Sequence, residues 1–499
     1  MHPGPVNASV HHPQTLVRCL SAFGLGVLGD TLLRATPWGI NFTIGAGAAA
    51  VAATCLGPSP STARRDVRAL AWAGAAMAIG VAWREAELLT LANVAAVGGL
   101  FILALVRARG LRLETAGVRR YVAAGVAVAV VLVRGALPVL AMPLPASPGG
   151  GRRLREVAIG AVLALPVLIV FGMLLASADP VFERVARSVF AWDTERVVSH
   201  LALITIFTWL AMGFLVALNA AGHPDAAPGD EALTLVRPLG IVEIGIPLGT
   251  LAALFAVFAG IQAGYLFGGD AIVQARAGLG YADYARRGFF ELVTVTVLVM
   301  PLLLAADGLL DRGNPSVVRG FRALATILLA LLSLIVVSAG YRLWLYFAAY
   351  GMTSDRVYAA ATMVWVAAAL AWFSVTVLRG RRGPFALGAG VAGLGVLVAL
   401  NVINPDALVA RVNVARAQSG AELDLQYLAR LSGDGLPALS RAAAALGPDE
   451  RCRLAADLER RWADTSRAWR TWNLGRARAR AAVLHIGSLC AQGPAVQSE

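Results

Sequence analysis

The chain has no lysine, four cysteines, six histidines and few charges of either sign, with 15% of its 499 residues charged. Each scarcity rules something out. Soluble domains carry about a quarter charged residues, so a chain this poor in charge, with a mean hydropathy of +0.69, belongs to another class. Cys19, Cys55, Cys452 and Cys490 form no C-x-x-C, and His2, His11, His12, His200, His223 and His485 are dispersed. That spacing gives no zinc site and no basis for a serine or cysteine triad. With no Walker loop and no H-E-x-x-H, neither ATP hydrolysis nor metal catalysis is expected, and no cofactor or metal is implied. The formal charge of +13 is carried wholly by arginine. These arginines are scattered through short loops between apolar runs, which fits membrane orientation and anionic headgroups rather than nucleic acid.

What the chain does have is apolar runs of roughly twenty residues without period-two alternation, the pattern of helices that satisfy every backbone hydrogen bond within their own segment. The sequence therefore predicts an all-α, polytopic transmembrane helix bundle over residues 1–403, with a small C-terminal amphipathic helical domain over 404–499. Eleven to twelve spans are expected, near 15–33, 38–56, 69–83, 87–106, 121–142, 157–177, 199–220, 238–267, 288–306, 321–340, 357–378 and 385–403. The first is read as a retained span, because no signal-peptide cleavage pattern accompanies it. The third is short, the fifth is interrupted by Arg134 and Pro138, and the eighth contains Pro247, which predicts a kink or break near Glu243–Pro247.

Arginine placement predicts orientation. Arg64, Arg65 and Arg68, then Arg107, Arg109, Arg112, Arg119 and Arg120, put the second and fourth loops and the N-terminus in the cytoplasm. Strict alternation through twelve spans would then send Arg152-Arg153-Arg155, Arg312-Arg319-Arg322 and Arg379-Arg381-Arg382 outside. A re-entrant or interfacial fifth segment removes the conflict and turns the 179–196, 268–287 and 341–356 loops and the tail outward. In the tail, Leu423, Tyr427, Leu428 and Leu431, then Leu454, Leu458 and Trp462, recur at helical spacing and predict a bundle of about four helices. Trp462, Trp469 and Trp472 among many arginines fit either a helix lying on the membrane interface or the core of that bundle. A Cys452–Cys490 disulfide requires an oxidising compartment, and two buried free thiols are the alternative.

Two G-x-G-x-x-G stretches, Gly24-Gly26-Gly29 and Gly388-Gly390-Gly393, lie inside apolar runs and predict close helix packing rather than a phosphate cradle. Ionisable groups in or beside spans carry more weight, because a charge in hydrocarbon costs at least about 2.5 kcal/mol. Asp30 and Arg34 are spaced for a local pair. Glu243, Gln262, Tyr265, Asp283, Tyr284, Arg286, Arg287, Glu291 and Arg342 are the candidate ligand or coupling residues, and Asp179 and Glu183 the surface-loop candidates. For Glu243 a functional role and a structural partner on another helix both stay open; Glu291 is expected to pair with Arg287.

Several stretches taken in order carry a resemblance: L-L-A-S-A-D-P-V-F-E at 174–183, Y-L-F-G-G at 265–269, G-Y-A-D-Y-A-R-R-G-F-F-E-L at 280–292, A-Y-G-M-T-S-D-R at 349–356, N-P-D-A-L-V-A-R-V-N at 404–413, L-D-L-Q-Y-L-A-R-L-S at 423–432 and W-R-T-W-N-L-G-R-A-R at 469–478, with G-I-N-F at 39–42 a looser match. Together they resemble the bacterial integral-membrane families known as domains of unknown function 4173 and 4153. The resemblance implies a multi-pass protein of the inner (plasma) membrane with a helical C-terminal appendage, and brings no activity with it. Three functional readings follow. The first is a non-enzymatic scaffold or sensor that binds a protein partner or envelope ligand through outward loops and the tail. The second is a secondary transporter or lipid-handling permease with Glu243, Glu291, Arg287 and Arg342 around a central cavity. The third is a membrane-embedded transferase with Asp179, Glu183 or Asp283 as base.

Overall fold

The computed structural model describes residues 12–57, 62–135, 137, 194–219, 239–267, 289–420, 422–462 and 468–491, and among them every regular element is helical. Among the described residues, eleven helices form the membrane body: α1 (His12–Leu33), α2 (Ile40–Cys55), α3 (Thr62–Trp83), α4 (Glu87–Ala108), α5 (Val118–Arg134), α6 (Thr194–Asn219), α7 (Ile241–Phe267), α8 (Phe289–Leu309), α9 (Pro315–Tyr350), α10 (Ser354–Thr376) and α11 (Gly383–Ile403). Six of them, α4, α6, α7, α9, α10 and α11, are long and apolar enough to cross a membrane, and α2 and α8 contain shorter apolar helices. The expected span at 157–177 lies outside the described residues. Five helices make up the tail: α12 (Pro405–Gln418), α13 (Leu425–Arg430), α14 (Leu436–Ala443), α15 (Pro448–Trp462) and α16 (Leu474–Ala491).

The body has two halves, α1 to α6 and α7 to α10, with α11 packed on α10, α4 and α5. One core gathers Val67, Ala71, Leu105, Val128 and Leu218, and the other Leu248, Leu303, Phe321, Leu328 and Phe373. Small residues allow the close approaches. A Cβ on Gly388 would overlap the Trp372 indole, and one on Gly29 would stand 2.7 Å from the Phe207 ring, so glycines of both G-x-G-x-x-G stretches serve helix packing. Pro247 does not break α7, which starts at Ile241 and runs unbroken to Phe267. The proline sits in the second turn, where few intrahelical bonds precede it.

Helix ends sort onto two faces. On the first, Arg68 donates to the Thr54 carbonyl (3.1 Å), Arg107 pairs with Asp66 (2.7 Å), Asn219 donates to the Leu56 carbonyl (2.8 Å), Leu239 bridges to Leu310, and Arg382 pairs with Asp307. The arginines at 64–68, 107–120, 312–322 and 379–382 therefore share this face. The tail occupies the opposite face. α5 begins on the arginine face, and α6 begins on the tail face, where Arg34 and Asp30 meet Ser199 and His200. α5 runs to Arg134, and residues 138–142 of the span expected there lie outside the described residues. The Cα of Gly213 lies 3.1 Å from the Cβ position of Gly135, only six residues from the end of α6 at Asn219, or about 9 Å along that helix.

α9 explains how the tail is reached. Asn314 caps it, accepting from the Ser316 N–H at 3.0 Å with Pro315 in the first turn, and Gly351 at φ 77 closes it. Its 36 residues span about 54 Å against a hydrocarbon thickness of about 30 Å. The uncharged stretch between Arg322 and Arg342 is long enough to cross, and the last nine residues extend about 13 Å further toward the tail. Exposed Tyr341 and Trp344, stacked 6.0 Å apart, mark that boundary. The tail has its own core of Leu428, Leu436, Leu439, Leu454, Leu458, Trp462 and Ile486, each larger side chain contributing about 1.5–3 kcal/mol. A disulfide joins Cys452 on α15 to Cys490 on α16.

Candidate functional site: a polar seam beneath the tail

An apolar helix leaves four unpaired N–H groups at its start and four carbonyls at its end. On the tail face the tail supplies many of the missing partners. Arg470 donates to the Thr31 carbonyl at the end of α1 (3.0 Å), and the Trp472 carbonyl accepts from the Ile40 N–H at the start of α2 (2.9 Å). Asn473 donates to the Val81 and Arg84 carbonyls at the end of α3 (2.7 and 2.8 Å) and caps α16 by accepting from the Arg476 N–H. Asp434 accepts from the Glu85 N–H (2.7 Å) and the Ala86 N–H (3.4 Å), capping α4, whose own N-cap residue is alanine. Arg416 donates to the Phe347 and Ala348 carbonyls of α9, each at 3.0 Å. At the start of α10, Ser354 donates its hydroxyl to Asp406 (2.5 Å) and its N–H to the Tyr427 oxygen (2.9 Å).

Side chains of the body complete the seam. Arg84, buried, donates to the Asn401 carbonyl at the end of α11 (2.6 Å) and stands 3.9 Å from Asp434. Asn93 and Asn401 exchange amide hydrogen bonds of 3.0 and 2.9 Å, with Gly80 packed against both. Asn41, fully buried, donates to the Leu32 and Ala35 carbonyls and accepts from the Gly39 and Phe42 N–H groups, so one amide closes α1 and opens α2. Gly39 has to be glycine here, because a Cβ would overlap the Trp472 carbonyl. Arg476 reaches the Trp38 and Thr471 carbonyls.

Four charged groups of the seam lie outside the spans in a strongly desolvated setting. Burial raises the Asp434 carboxyl above the usual carboxylate range, against the pull of the Glu85 N–H and of Arg84. Burial likewise raises Glu85, opposed by the Gly433 N–H that Glu85 accepts at 2.6 Å. Arg84 and Arg476 are lowered by burial, offset by Asp434 and by Glu85 respectively. The arrangement is suited to holding helices in register. Among the described residues no group of histidine, cysteine and acidic side chains is arranged to hold a metal.

The tail also carries a cleft of about 560 Å³ between α13 and α15. Leu425, Leu454 and Leu458 lie among its lining, with Arg430, Arg453, Arg461, Glu450 and Asp457 around them. On α15 the lining positions recur every three to four residues, so they occupy one helical stripe, while Arg451 on another face donates to the Leu489 carbonyl of α16.

The sequence-derived candidates are dispersed by this fold. Glu243 is exposed in the first turn of α7 on the arginine face, where its carboxylate accepts from the Gly240 N–H in the manner of a capping box. Gln262 and Tyr265 are near the other end of α7, the first of them nineteen residues or about 28 Å away. Glu291 begins α8 on that same tail face; the side chains of Gln262, Tyr265 and Glu291 lie outside the described residues. Arg342 is buried in α9 at the tail-face boundary and has a partner there. Asp179, Glu183, Asp283, Tyr284, Arg286 and Arg287 lie outside the described residues. Asp30 does meet Arg34, at 3.8 Å, and also His200 of α6 at 2.5 Å. The tryptophans divide: Trp462 is in the tail core, whereas Trp469 and Trp472 stand exposed on a short 3-10 turn.

Reading only the ionisable residues in or beside the spans misses Asp434, Asn473, Asn41 and Asn401. The short polar words G-I-N-F, S-G-D-G and W-N-L-G could have found Asn41, Asp434 and Asn473, whereas Asn401, inside an apolar run, carried no such signal. No curated protein and no solved structure matches the chain. The profile of a family described as a domain of unknown function, DUF4153, matches residues 71–442, from α3 through most of α14, and the chain belongs to that family.

Proposed function

We propose that this membrane protein is a non-enzymatic scaffold or sensor of the plasma membrane, whose tail is a rigid outward platform binding an envelope ligand or partner protein in the α13/α15 cleft. The observation that carries this reading is the seam, in which six membrane helices have an end hydrogen-bonded by tail groups. A platform held at so many points presents its cleft at a fixed height and angle, and a ligand seated there pulls on both halves of the body. Two separate features support the outward orientation. The arginine-rich helix ends share the face opposite the tail, as the charge rule for cytoplasmic loops requires, and the tail carries a disulfide, a bond that persists in oxidising compartments.

Sidedness is tested by treating intact spheroplasts with an impermeant reductant and then an impermeant maleimide mass tag. Cys452 and Cys490 should both become tagged without lysis, and a requirement for lysis would refute the orientation. The binding role is tested by complementing a deletion strain. Arg430→Glu with Arg453→Glu should fail to restore its phenotype while the chain still inserts, whereas Glu243→Gln should restore it. The opposite pattern would favour a permease over a binding platform.

A further inference from the structure

We propose that the tail-face end of α1 is a binding site for an anionic phospholipid, with the phosphate held between Arg34 and Arg470 and an acyl chain lying along the exposed side of α1. The polar end is built by two segments far apart in sequence. Arg34 follows the last residue of α1, is one-third exposed, and is held by the Ser199 hydroxyl (2.6 Å) and by Asp30. Arg470 comes from the tail and donates one N–H to the Thr31 carbonyl. Each guanidinium has five N–H groups, so donors remain on both, and the Arg470 side chain stands in the open. Arg196, exposed at the start of α6, adds a third cation, and His200 lies beside Asp30. Asp30, 2% exposed and in contact with Arg34 and His200, offsets one of these charges, which leaves the group net positive through Arg470 and Arg196.

The apolar end is continuous with it. Leu20, Phe23, Gly24 and Thr31 are exposed and run up one side of α1 to Arg34. From Leu20 to Arg34 the rise is about 21 Å, the scale of one acyl chain in a leaflet about 15 Å deep when tilted. Trp469 and Trp472, 62% and 47% exposed, flank Arg470. Their depth is fixed, because the Trp472 carbonyl is bonded to the start of α2. Indole rings favour the headgroup layer, and arginine matches phosphate in bidentate geometry.

The test places the full-length protein in nanodiscs containing phosphatidylglycerol or phosphatidylcholine brominated high in the acyl chain, and reads the tryptophan quenching lost in a Trp469→Phe/Trp472→Phe variant. A cation near a membrane surface is worth roughly fivefold in affinity for anionic lipid, so brominated phosphatidylglycerol should quench at a mole fraction roughly tenfold or more below that for phosphatidylcholine. Arg34→Gln with Arg470→Gln should abolish that preference while total quenching persists, and the double Lys variant should retain part of it. Should the double Gln variant not fold, Arg470→Gln alone, whose side chain is bonded among the described residues to the Thr31 carbonyl, carries the comparison. Equal quenching by the two lipids in the native protein, or an unchanged preference without the arginines, overturns the proposal. So does displacement of the brominated lipid by free inorganic phosphate, which would identify a soluble anion site instead.

Discussion

Replacing Asp434 separates its hydrogen bonds from its charge. In Asp434→Ala the Glu85 and Ala86 N–H groups lose their acceptor, and Arg84, buried 3.9 Å away, loses its carboxylate. A lost cap costs about 1 kcal/mol, and a buried donor left unsatisfied costs about 1–3 kcal/mol. The seam should therefore be weaker by about 2–3 kcal/mol. In Asp434→Asn the amide oxygen still accepts, and the cost of burying an ionised carboxylate disappears, so the loss should stay below about 1 kcal/mol. Amide hydrogen exchange of Glu85, Ala86 and Gly433 in detergent reports local opening directly. Exchange should accelerate about 30- to 150-fold in the Ala variant and less than about fivefold in the Asn variant. Equal acceleration in both variants would show that charge rather than capping holds the seam, and no change in either would show that Asp434 holds nothing.

Other outcomes follow from the same geometry. Because burial raises the carboxyls of Asp434 and Glu85, their contribution to seam stability is fully present below the usual carboxylate range and is lost as pH rises through the raised values. Exchange at Gly433 should accordingly slow as pH falls toward that range, after correction for intrinsic exchange, and Glu85→Gln should remove part of the dependence. Gly39→Ala should disrupt the α2 junction, since the added carbon overlaps a backbone carbonyl, and should show as increased trypsin release of the tail. Gly388→Val should lower thermal stability in detergent through the Trp372 indole, whereas Gly390→Ala, with open space around it, should leave the melting temperature within about one degree. For Asn93 and Asn401, either single Leu variant should lose more stability than the double variant, because a single change strands a buried amide.

Composition and apolar run length were enough to identify a helical membrane protein with a polar helical tail, because hydrocarbon leaves helices as the simplest way to satisfy every backbone group. Arginine placement also pointed to the clusters that the fold gathers at one set of helix ends, at 64–68, 107–120, 312–322 and 379–382. The candidate site was much less legible. Glu243 stood out as a charge beside a span, yet folding puts it in the first turn of a helix, exposed and bonded to the nearby Gly240 N–H. Asp434 and Asn473 looked like ordinary polar residues of a tail, and only the fold sets them against Glu85 and Arg84, more than three hundred residues earlier in the chain. Membership of a membrane is a property of each segment and can be read one segment at a time. Which carbonyl an asparagine satisfies depends on where two distant helix ends meet, and that is decided by packing.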